Sequence, residues 1–281
     1  MTARARTGIA LLVAVALIAA LFVIVTRWLH SDSSPFQAAP SCGVAGDSYD
    51  LTPEQAGNAA TIGSVALSRS LPERAVTVAL ATALQESKLR NLDYGDADSV
   101  GLFQQRPSQG WGPADKLQQP RYAAGRFFDV LVTVRGWRTR PVTAVAQAVQ
   151  RSAYPDAYAQ WEQTASALSL ALTGTKPASL WCNYRKPAHG NRTQAATSLA
   201  ADLAVTPKAG PTTLDAAVAT SQGGWRVASW AVANGYRFGI TEVHYAGKVW
   251  RRSAHGWKTE KATTTGVHIV LAKAAPPATT G

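Results

Sequence analysis

A helix that is apolar on almost every side is the strongest constraint in this sequence. Ser70-Leu71-Pro72-Glu73 has the form of a capping box, which predicts a helix from there through Lys88. At about 100° per residue, one face carries small side chains and ends in a carboxylate, with larger aliphatic side chains beside it. The small face comprises Ala75, Ala79, Thr82, Ala83 and Glu86, and the flanking side comprises Val76, Leu80 and Leu84. Because such a helix has no polar stripe, the sequence predicts that it is buried within a helical domain.

Glu86, at the C-terminal end of that face, is the candidate catalytic residue. Burial disfavours a charged carboxylate and raises its pKa, and the dipole at a helix C-terminus acts in the same direction. A carboxylic acid that stays protonated near neutral pH is what a glycosidase uses to protonate a leaving oxygen. The alternative is a glutamate that simply reaches solvent where the helix ends.

Capping signals and turn residues divide the rest of the chain. Thr52-Pro53-Glu54-Gln55 is a second capping box and predicts a helix to Ser68, and further helices are predicted over 121–134, 142–151 and 156–172. Downstream, a helix over 226–234 and strands over 240–245, 248–251 and 266–272 indicate an α+β module. The expected boundaries are a cytoplasmic tail (1–7), an apolar segment (8–27), a linker (28–42), a mainly α domain (43–175), a linker (176–212), the module (213–273) and a disordered tail (274–281).

The run from Gly8 to Val25 contains no charge and consists mainly of Ala, Val, Leu, Ile and Phe. Its length corresponds to roughly 27 Å of helix, close to the hydrocarbon thickness of a bilayer, which predicts a transmembrane anchor over 8–27. Arg4 and Arg6 precede the run, so the N-terminus is expected in the cytoplasm and the remainder outside it. The alternative is a cleaved signal peptide, and both interpretations export the folded part of the chain.

The two cysteines, Cys42 and Cys182, are expected to pair, because an exported chain folds in an oxidising compartment. The competing interpretation makes Cys182 a peptidase nucleophile near His189, although its sequence context matches no nucleophile signature.

The formal net charge of +11 favours attraction to anionic wall polymers or phospholipid headgroups. No nucleic-acid recognition motif accompanies it, so nucleic acid is not an expected partner. The charges are scattered, and a merely solvated basic surface is the alternative. The five histidines are dispersed without zinc-ligand spacing, and neither a metal nor another cofactor is expected.

Two motifs together carry a family resemblance. Glu86-Ser87 is followed, after an Asp-rich loop, by Gly101-Leu102-Phe103-Gln104-Gln105. Over roughly residues 70–172 the sequence resembles the soluble lytic transglycosylase and goose-type lysozyme superfamily, in a version found in actinobacterial exported proteins. The resemblance implies a lysozyme-like, mainly α-helical catalytic domain of the α+β class.

The resemblance also implies roles for individual residues. Glu86 would be the general acid and then the base, and Ser87 would orient it or the substrate. Gly101, Leu102 and Phe103 would form part of the substrate site, where Gln104 and Gln105 would present amides to N-acetyl groups. Trp111, Tyr94 and Phe103 are candidates for stacking on sugar rings, with core packing as the alternative.

The family's third motif, Ala-Tyr-Asn-x-Gly, is altered here. Its best match is Ala148-Val149-Gln150-Arg151-Ser152, in which Gln150 replaces the Asn amide and Tyr154 is the candidate source of the Tyr hydroxyl. Lytic transglycosylases need a single acid, because the muramyl 6-hydroxyl attacks intramolecularly. If water attacks instead, Asp93, Asp96 and Asp98 are candidates for the second carboxylate, with Ca²⁺ binding or a solvated loop as their alternatives.

The sequence thus predicts a single-pass cell-membrane protein with extracytoplasmic domains: a transmembrane helix, a lysozyme-like domain and a small α+β module. The expected activity is cleavage of the β-1,4 bond after N-acetylmuramic acid in peptidoglycan glycan strands, by transglycosylation or hydrolysis. The alternative is a non-catalytic peptidoglycan-binding or scaffold protein, and a part in a secretion or conjugation machine is a third hypothesis. Trp230 is expected in the core of the module, whereas Trp257 is assigned to neither core nor ligand.

Overall fold

The predicted central helix lies in the interior of a helical layer. The computed structural model of the chain describes residues 19–23, 25–26, 39–151, 156–184, 189–261 and 265–274. Its helices are α1 (Pro53–Ser68), α2 (Glu73–Ser87), α3 (Ala114–Leu117), α4 (Pro120–Leu131), α5 (Val142–Gln150), α6 (Glu162–Leu172), α7 (Arg192–Leu203), α8 (Ser221–Ala233) and α9 (Gly235–Phe238). Every residue of α2 from Ala75 to Leu84 is buried, and the helix packs against α6, α5, α1 and α4. A helix without a polar stripe has thus been covered on all sides.

The two capping boxes behave differently. At the start of α1, Gln55 N–H donates to Thr52 Oγ1 (3.2 Å) and Thr52 N–H donates to Gln55 Oε1 (2.6 Å), so the first predicted box is present. The second prediction is wrong, because the N-cap of α2 is Pro72 and Ser70 takes a left-handed conformation at φ 54°. Freed from a capping role, the Glu73 carboxylate instead accepts a hydrogen bond from Thr175 Oγ1 at 2.9 Å.

The strands form two sheets. They are β1 (Ser41–Val44), β2 (Leu180–Asn183), β3 (Lys208–Ala209), β4 (Thr213–Ala216), β5 (Ile240–Tyr245), β6 (Lys248–Arg251), β7 (Trp257–Thr259) and β8 (Val267–Leu271). β1 and β2 form an antiparallel pair, and the other six form an antiparallel sheet in the order β3-β4-β8-β5-β6-β7. α8 packs on β5 and β8, so one face of the larger sheet is its core face.

The expected pairing of Cys42 with Cys182 is confirmed. The two residues lie directly opposite each other in the β1–β2 register and form a disulfide. Cys182 is therefore not a free thiol, and the hypothesis of a cysteine nucleophile is wrong. The bond joins the strand before α1 to the strand after α6, and so the loop that it closes contains helices α1 to α6.

The segment expected as a second linker, 176–212, contains β2 and α7. Three tryptophans of the downstream module fix it in place through their indole N–H groups. Trp250 donates to Cys182 O (3.0 Å), Trp257 donates to Leu180 O (2.8 Å), and Trp230 donates to the Asp202 carboxylate (2.7 Å). Residues 40–281 accordingly form one compact unit. Pro, Gly and Lys gave this segment the composition of a linker, but its apolar side chains have partners in the core.

The predicted transmembrane anchor over 8–27 requires correction. No helix in the described part of the chain is long and apolar enough to cross a membrane. Within 8–27 the structure describes only 19–23 and 25–26, which are helical, and the rest of the predicted anchor lies outside the described residues. The predicted tail at 1–7, the predicted tail at 274–281 apart from Ala274, and most of the linker at 28–42 also lie outside the described residues.

Replacement of Cys42 and Cys182 together by Ser should lower the free energy of unfolding by about 5 kcal/mol, because the cross-link closes a long loop in the unfolded chain. Urea unfolding followed by circular dichroism measures the difference. The wild-type protein in reductant should match the double variant, and the variant should not respond to reductant. Equal stability with and without the bond would contradict this assignment.

Candidate functional site

Glu86 lies in the last turn of α2, where the buried helix reaches the surface. Its side chain is half-buried, and one carboxylate oxygen, Oε1, accepts a hydrogen bond from the Tyr158 hydroxyl at 2.7 Å. Tyr158 is itself buried in the core, so this donor has a fixed position. Glu86 is therefore a partly accessible carboxyl group whose position is fixed by a buried hydroxyl.

Burial raises the pKa of the Glu86 carboxyl above its ordinary value. Hydrogen bonds from Tyr158 and Gln150 and the charge of Lys88 act in the opposite direction, but they do not cancel the effect of burial. Burial also lowers the pKa of Lys88, whose Nζ lies 4.3 Å from the centre of the Trp161 ring. The site therefore raises the pKa of Glu86 while keeping groups that stabilise the carboxylate once it forms.

Ser87 joins the end of α2 to the Gly101–Gln105 segment. Its buried hydroxyl donates to Leu102 O at 2.7 Å and does not contact the Glu86 carboxylate. Gly101 is required at its position, because its φ is +78° and an added Cβ would lie 2.6 Å from Leu117 O. The two motifs of the family resemblance are thus in direct contact, and Ser87 positions Glu86 through the backbone.

Most of the Gly101–Gln105 side chains face the core rather than the surface. Leu102 and Phe103 are buried, and the Phe103 ring stacks on Phe127 with centroids 4.7 Å apart. Gln105 is 1% exposed, and its amide donates to Ala123 O at 3.2 Å. Gln104 is partly exposed and its amide donates to Tyr94 O at 3.2 Å, so it is the glutamine nearer to the surface.

The aromatic candidates differ in accessibility. Tyr94 is 62% exposed, in the loop to which Gln104 is hydrogen bonded, and its ring is available for stacking. Trp111 is half-buried against the core, and its carbonyl accepts from Arg126 Nε at 2.9 Å. Tyr94 is therefore the better-placed candidate for a sugar ring.

Asp98 connects the Asp-rich loop to Arg106 and Ser108 by hydrogen bonds. Its carboxylate accepts from Arg106 Nε (2.8 Å), Ser108 N–H (2.7 Å) and Ser108 Oγ (2.9 Å). These hydrogen bonds lower the pKa of Asp98 to about 2, so its carboxylate stays ionised and remains bound to Arg106 and Ser108. Asp93 and Asp96 are exposed. No group of three or more His, Cys, Asp or Glu among the described residues is arranged to hold a metal ion.

The altered third motif places the side-chain amide of Gln150 beside Glu86. Gln150, the last residue of α5, donates from Nε2 to Phe103 O at 2.7 Å and lies near the Glu86 carboxylate. Val149 is fully buried in the core. Tyr154 lies outside the described residues.

Tyr158 is the functional residue that the sequence reasoning missed. An Ala-Tyr pair occurs twice after α5, at Ala153-Tyr154 and Ala157-Tyr158, and proximity to Gln150 in the sequence favours the first pair. The second pair precedes the short 3-10 helix Ala159–Trp161, whose position beside the end of α2 brings the Tyr158 hydroxyl to Glu86. The repetition of Ala-Tyr was the available signal.

A second group of titratable side chains crosses the larger sheet. His244 contacts the carboxylates of Glu260 (3.0 Å) and Glu242 (3.2 Å), and His268 contacts Asp215 at 2.6 Å. The two imidazole rings are 5.7 Å apart. These residues are far apart in the sequence, but the antiparallel registers of β4, β8 and β5 bring them together.

Compared with protein-family models and with curated proteins, the chain matches none of them.

Because burial raises the pKa of Glu86 in the folded state, the folded protein binds this proton more tightly than the unfolded chain does. The contribution of Glu86 to stability is therefore lost as pH rises from the unfolded pKa, about 4.3, through the folded pKa. Glu86→Gln should stabilise the protein above that window and have least effect below it.

Urea unfolding of both proteins at acidic and mildly alkaline pH measures this effect. The exposed Glu162, in the first turn of α6, provides the control variant Glu162→Gln. A stabilisation by Glu86→Gln that does not grow with pH would contradict the burial of an uncharged acid.

Proposed function

We propose that this protein is a lysozyme-like enzyme that cleaves the β-1,4 bond between N-acetylmuramic acid and N-acetylglucosamine in peptidoglycan, with Glu86 as its single catalytic acid. The observation that carries the proposal is the half-buried Glu86 carboxyl, hydrogen bonded by the buried Tyr158 hydroxyl at 2.7 Å. Burial raises its pKa, as the acid of a glycosidase requires.

In the first step, the Glu86 carboxyl protonates the glycosidic oxygen and the bond from that oxygen to C1 of the muramyl residue breaks. The carboxylate that remains is stabilised by groups already in position. Tyr158 donates to Oε1, while the Gln150 amide and the Lys88 ammonium lie close enough to favour the charged form. Donors that need no rearrangement are most effective where charge develops.

In the second step, the same carboxylate accepts a proton from the group that attacks C1. If that group is the muramyl 6-hydroxyl, the product is a 1,6-anhydro sugar and Glu86 returns to its acid form. A second carboxylate is then unnecessary. If water attacks instead, Asp98 is unsuited to activating it, because its carboxylate is bound to Arg106 and Ser108, which leaves the exposed Asp93 and Asp96 as candidates.

The disulfide favours an exported location, since Cys42–Cys182 would not persist in a reducing cytosol. Export also places the enzyme with its polymeric substrate.

A non-catalytic peptidoglycan-binding protein is the second candidate. It is favoured by the burial of Phe103 and Gln105, which removes two groups expected to contact the sugar. The exposed Tyr94 and the partly exposed Gln104 would then hold glycan without cleavage. Association with purified walls that releases no sugar would select this candidate.

Glu86→Gln should lower the rate of muropeptide release from purified walls by at least 10²-fold, the usual range for loss of a general acid. Mass spectrometry of the products separates the two routes, because an anhydro end lacks one water relative to a reducing end. Full activity in Glu86→Gln would remove Glu86 from the mechanism. The matched control is Glu162→Gln, which should leave the rate unchanged.

Tyr158→Phe should keep measurable activity but move the pH–rate profile to higher pH. Removal of the hydroxyl donor takes away a hydrogen bond that lowers the pKa of Glu86, so the acid form should persist further into the alkaline range. The measurement is the alkaline limb of the profile in wild type and variant. A lower rate with an unmoved limb would reduce Tyr158 to a packing role.

A further inference from the structure

The turn between α4 and α5 carries three arginines and no acidic residue. This segment, residues 132–140, is called the arginine loop here and reads Val-Thr-Val-Arg-Gly-Trp-Arg-Thr-Arg. Arg135, Arg138 and Arg140 are exposed, and none of them makes an ion pair with any residue that the structure describes. By contrast, Arg69 and Arg126 on the same helical layer both pair with Asp129.

The arginine loop has a fixed conformation. Trp137, 3% exposed, anchors its centre in the core, and Gly136 provides the turn at φ +73°. The Gly136 carbonyl accepts from the N–H groups of Thr139 and Arg140, both at 3.0 Å. From outside the loop, Arg74 donates to the carbonyls of Trp137 (3.1 Å) and Arg140.

One arginine side chain of the loop, Arg138, is already held in position without a ligand. The Arg138 guanidinium lies over the Trp137 ring, 4.5 Å from its centre. Stacking restricts the side chain while leaving its N–H groups free, so less conformational entropy is lost when an anion binds. A planar guanidinium presents paired donors that match the oxygens of a phosphate group.

We infer that the arginine loop is a docking surface for a soluble phosphodiester polymer, in which successive phosphate groups engage Arg135, Arg138 and Arg140. Charge complementarity selects a polyanion. A bilayer is the weaker partner for two reasons. First, the loop presents little apolar surface to a membrane, because Val132 is 47% exposed but Trp137 is buried. Second, its three arginines are fewer than the four to eight basic residues that are usual in lipid-surface sites.

The surface is separate from the candidate active site. Arg74, which braces the loop, lies in the first turn of α2, and Glu86 lies twelve residues further along the same helix. That separation corresponds to roughly 18 Å along the helix axis. A polymer held by the loop therefore leaves Glu86 accessible, and docking does not depend on the proposed catalysis.

The test compares binding of fluorescent poly(glycerol phosphate) to the full chain and to the triple variant Arg135→Gln, Arg138→Gln, Arg140→Gln by anisotropy at low ionic strength. At roughly fivefold per arginine, the triple variant should bind about a hundredfold more weakly. A matched control removes three exposed cations elsewhere, by Lys208→Gln, Arg237→Gln and Lys258→Gln. This control includes an arginine stacked on an aromatic ring, Arg237 over Phe238, and should lose less than about fivefold.

Further variants keep the result interpretable. Arg135 contributes only its backbone carbonyl, which accepts from Arg140 Nη1, so Arg135→Gln alone should lose about fivefold even if the triple variant folds poorly. Glu86→Gln should bind the polymer like wild type, so loss of catalysis and loss of docking are distinguishable. Equal weakening in the control triple, or tighter binding to phosphatidylglycerol vesicles than to the polymer, would overturn the assignment.

Discussion

The burial of α2 is the constraint on which the rest of the structure depends. Its side chains from Ala75 to Leu84 are enclosed by neighbouring helices, and the helix reaches the surface only at its two ends. A carboxyl group at that point, Glu86, is partly desolvated by the same packing that stabilises the domain. The raised pKa of Glu86 is therefore a consequence of where a buried and largely apolar helix ends, and it needs no separate arrangement of charges.

The end of α2 is also fixed from two sides. From α1, the Gln55 amide donates to Lys88 O (2.6 Å) and the Asn58 amide donates to Leu89 O (2.8 Å). From the other side, Ser87 donates to Leu102 O at 2.7 Å. These hydrogen bonds hold residues 87–89, directly after Glu86, between α1 and the Gly101–Gln105 segment, and so they limit the movement of Glu86. A general acid gains from such positioning, since misplacement reduces its effect on the transition state.

The sequence was informative where one local pattern determines structure, and less so where contacts are distant. The periodicity of α1 and α2, the Thr52 capping box and the cysteine pairing were all predictable. The failure of the Ser70 box was not, because two helices meet there and the left-handed Ser70 serves the turn between them. Tyr158 escaped prediction because its approach to Glu86 depends on how the turn before α6 packs. The helix α7 was hidden by a composition typical of a linker.

The module after β2 and the helices before it form one compact unit. The indoles of Trp230, Trp250 and Trp257 are used to hold α7 and β2, and Trp225 packs edge-on against Tyr245 and Trp257. Rings committed in this way offer little surface to a sugar, which argues against an aromatic glycan-binding platform here. The accessible chemistry of the module is instead the row of paired imidazoles and carboxylates across its sheet. Cross-strand charge pairs stabilise antiparallel neighbours, so that row accounts for the polar face of a sheet whose other face packs on α8.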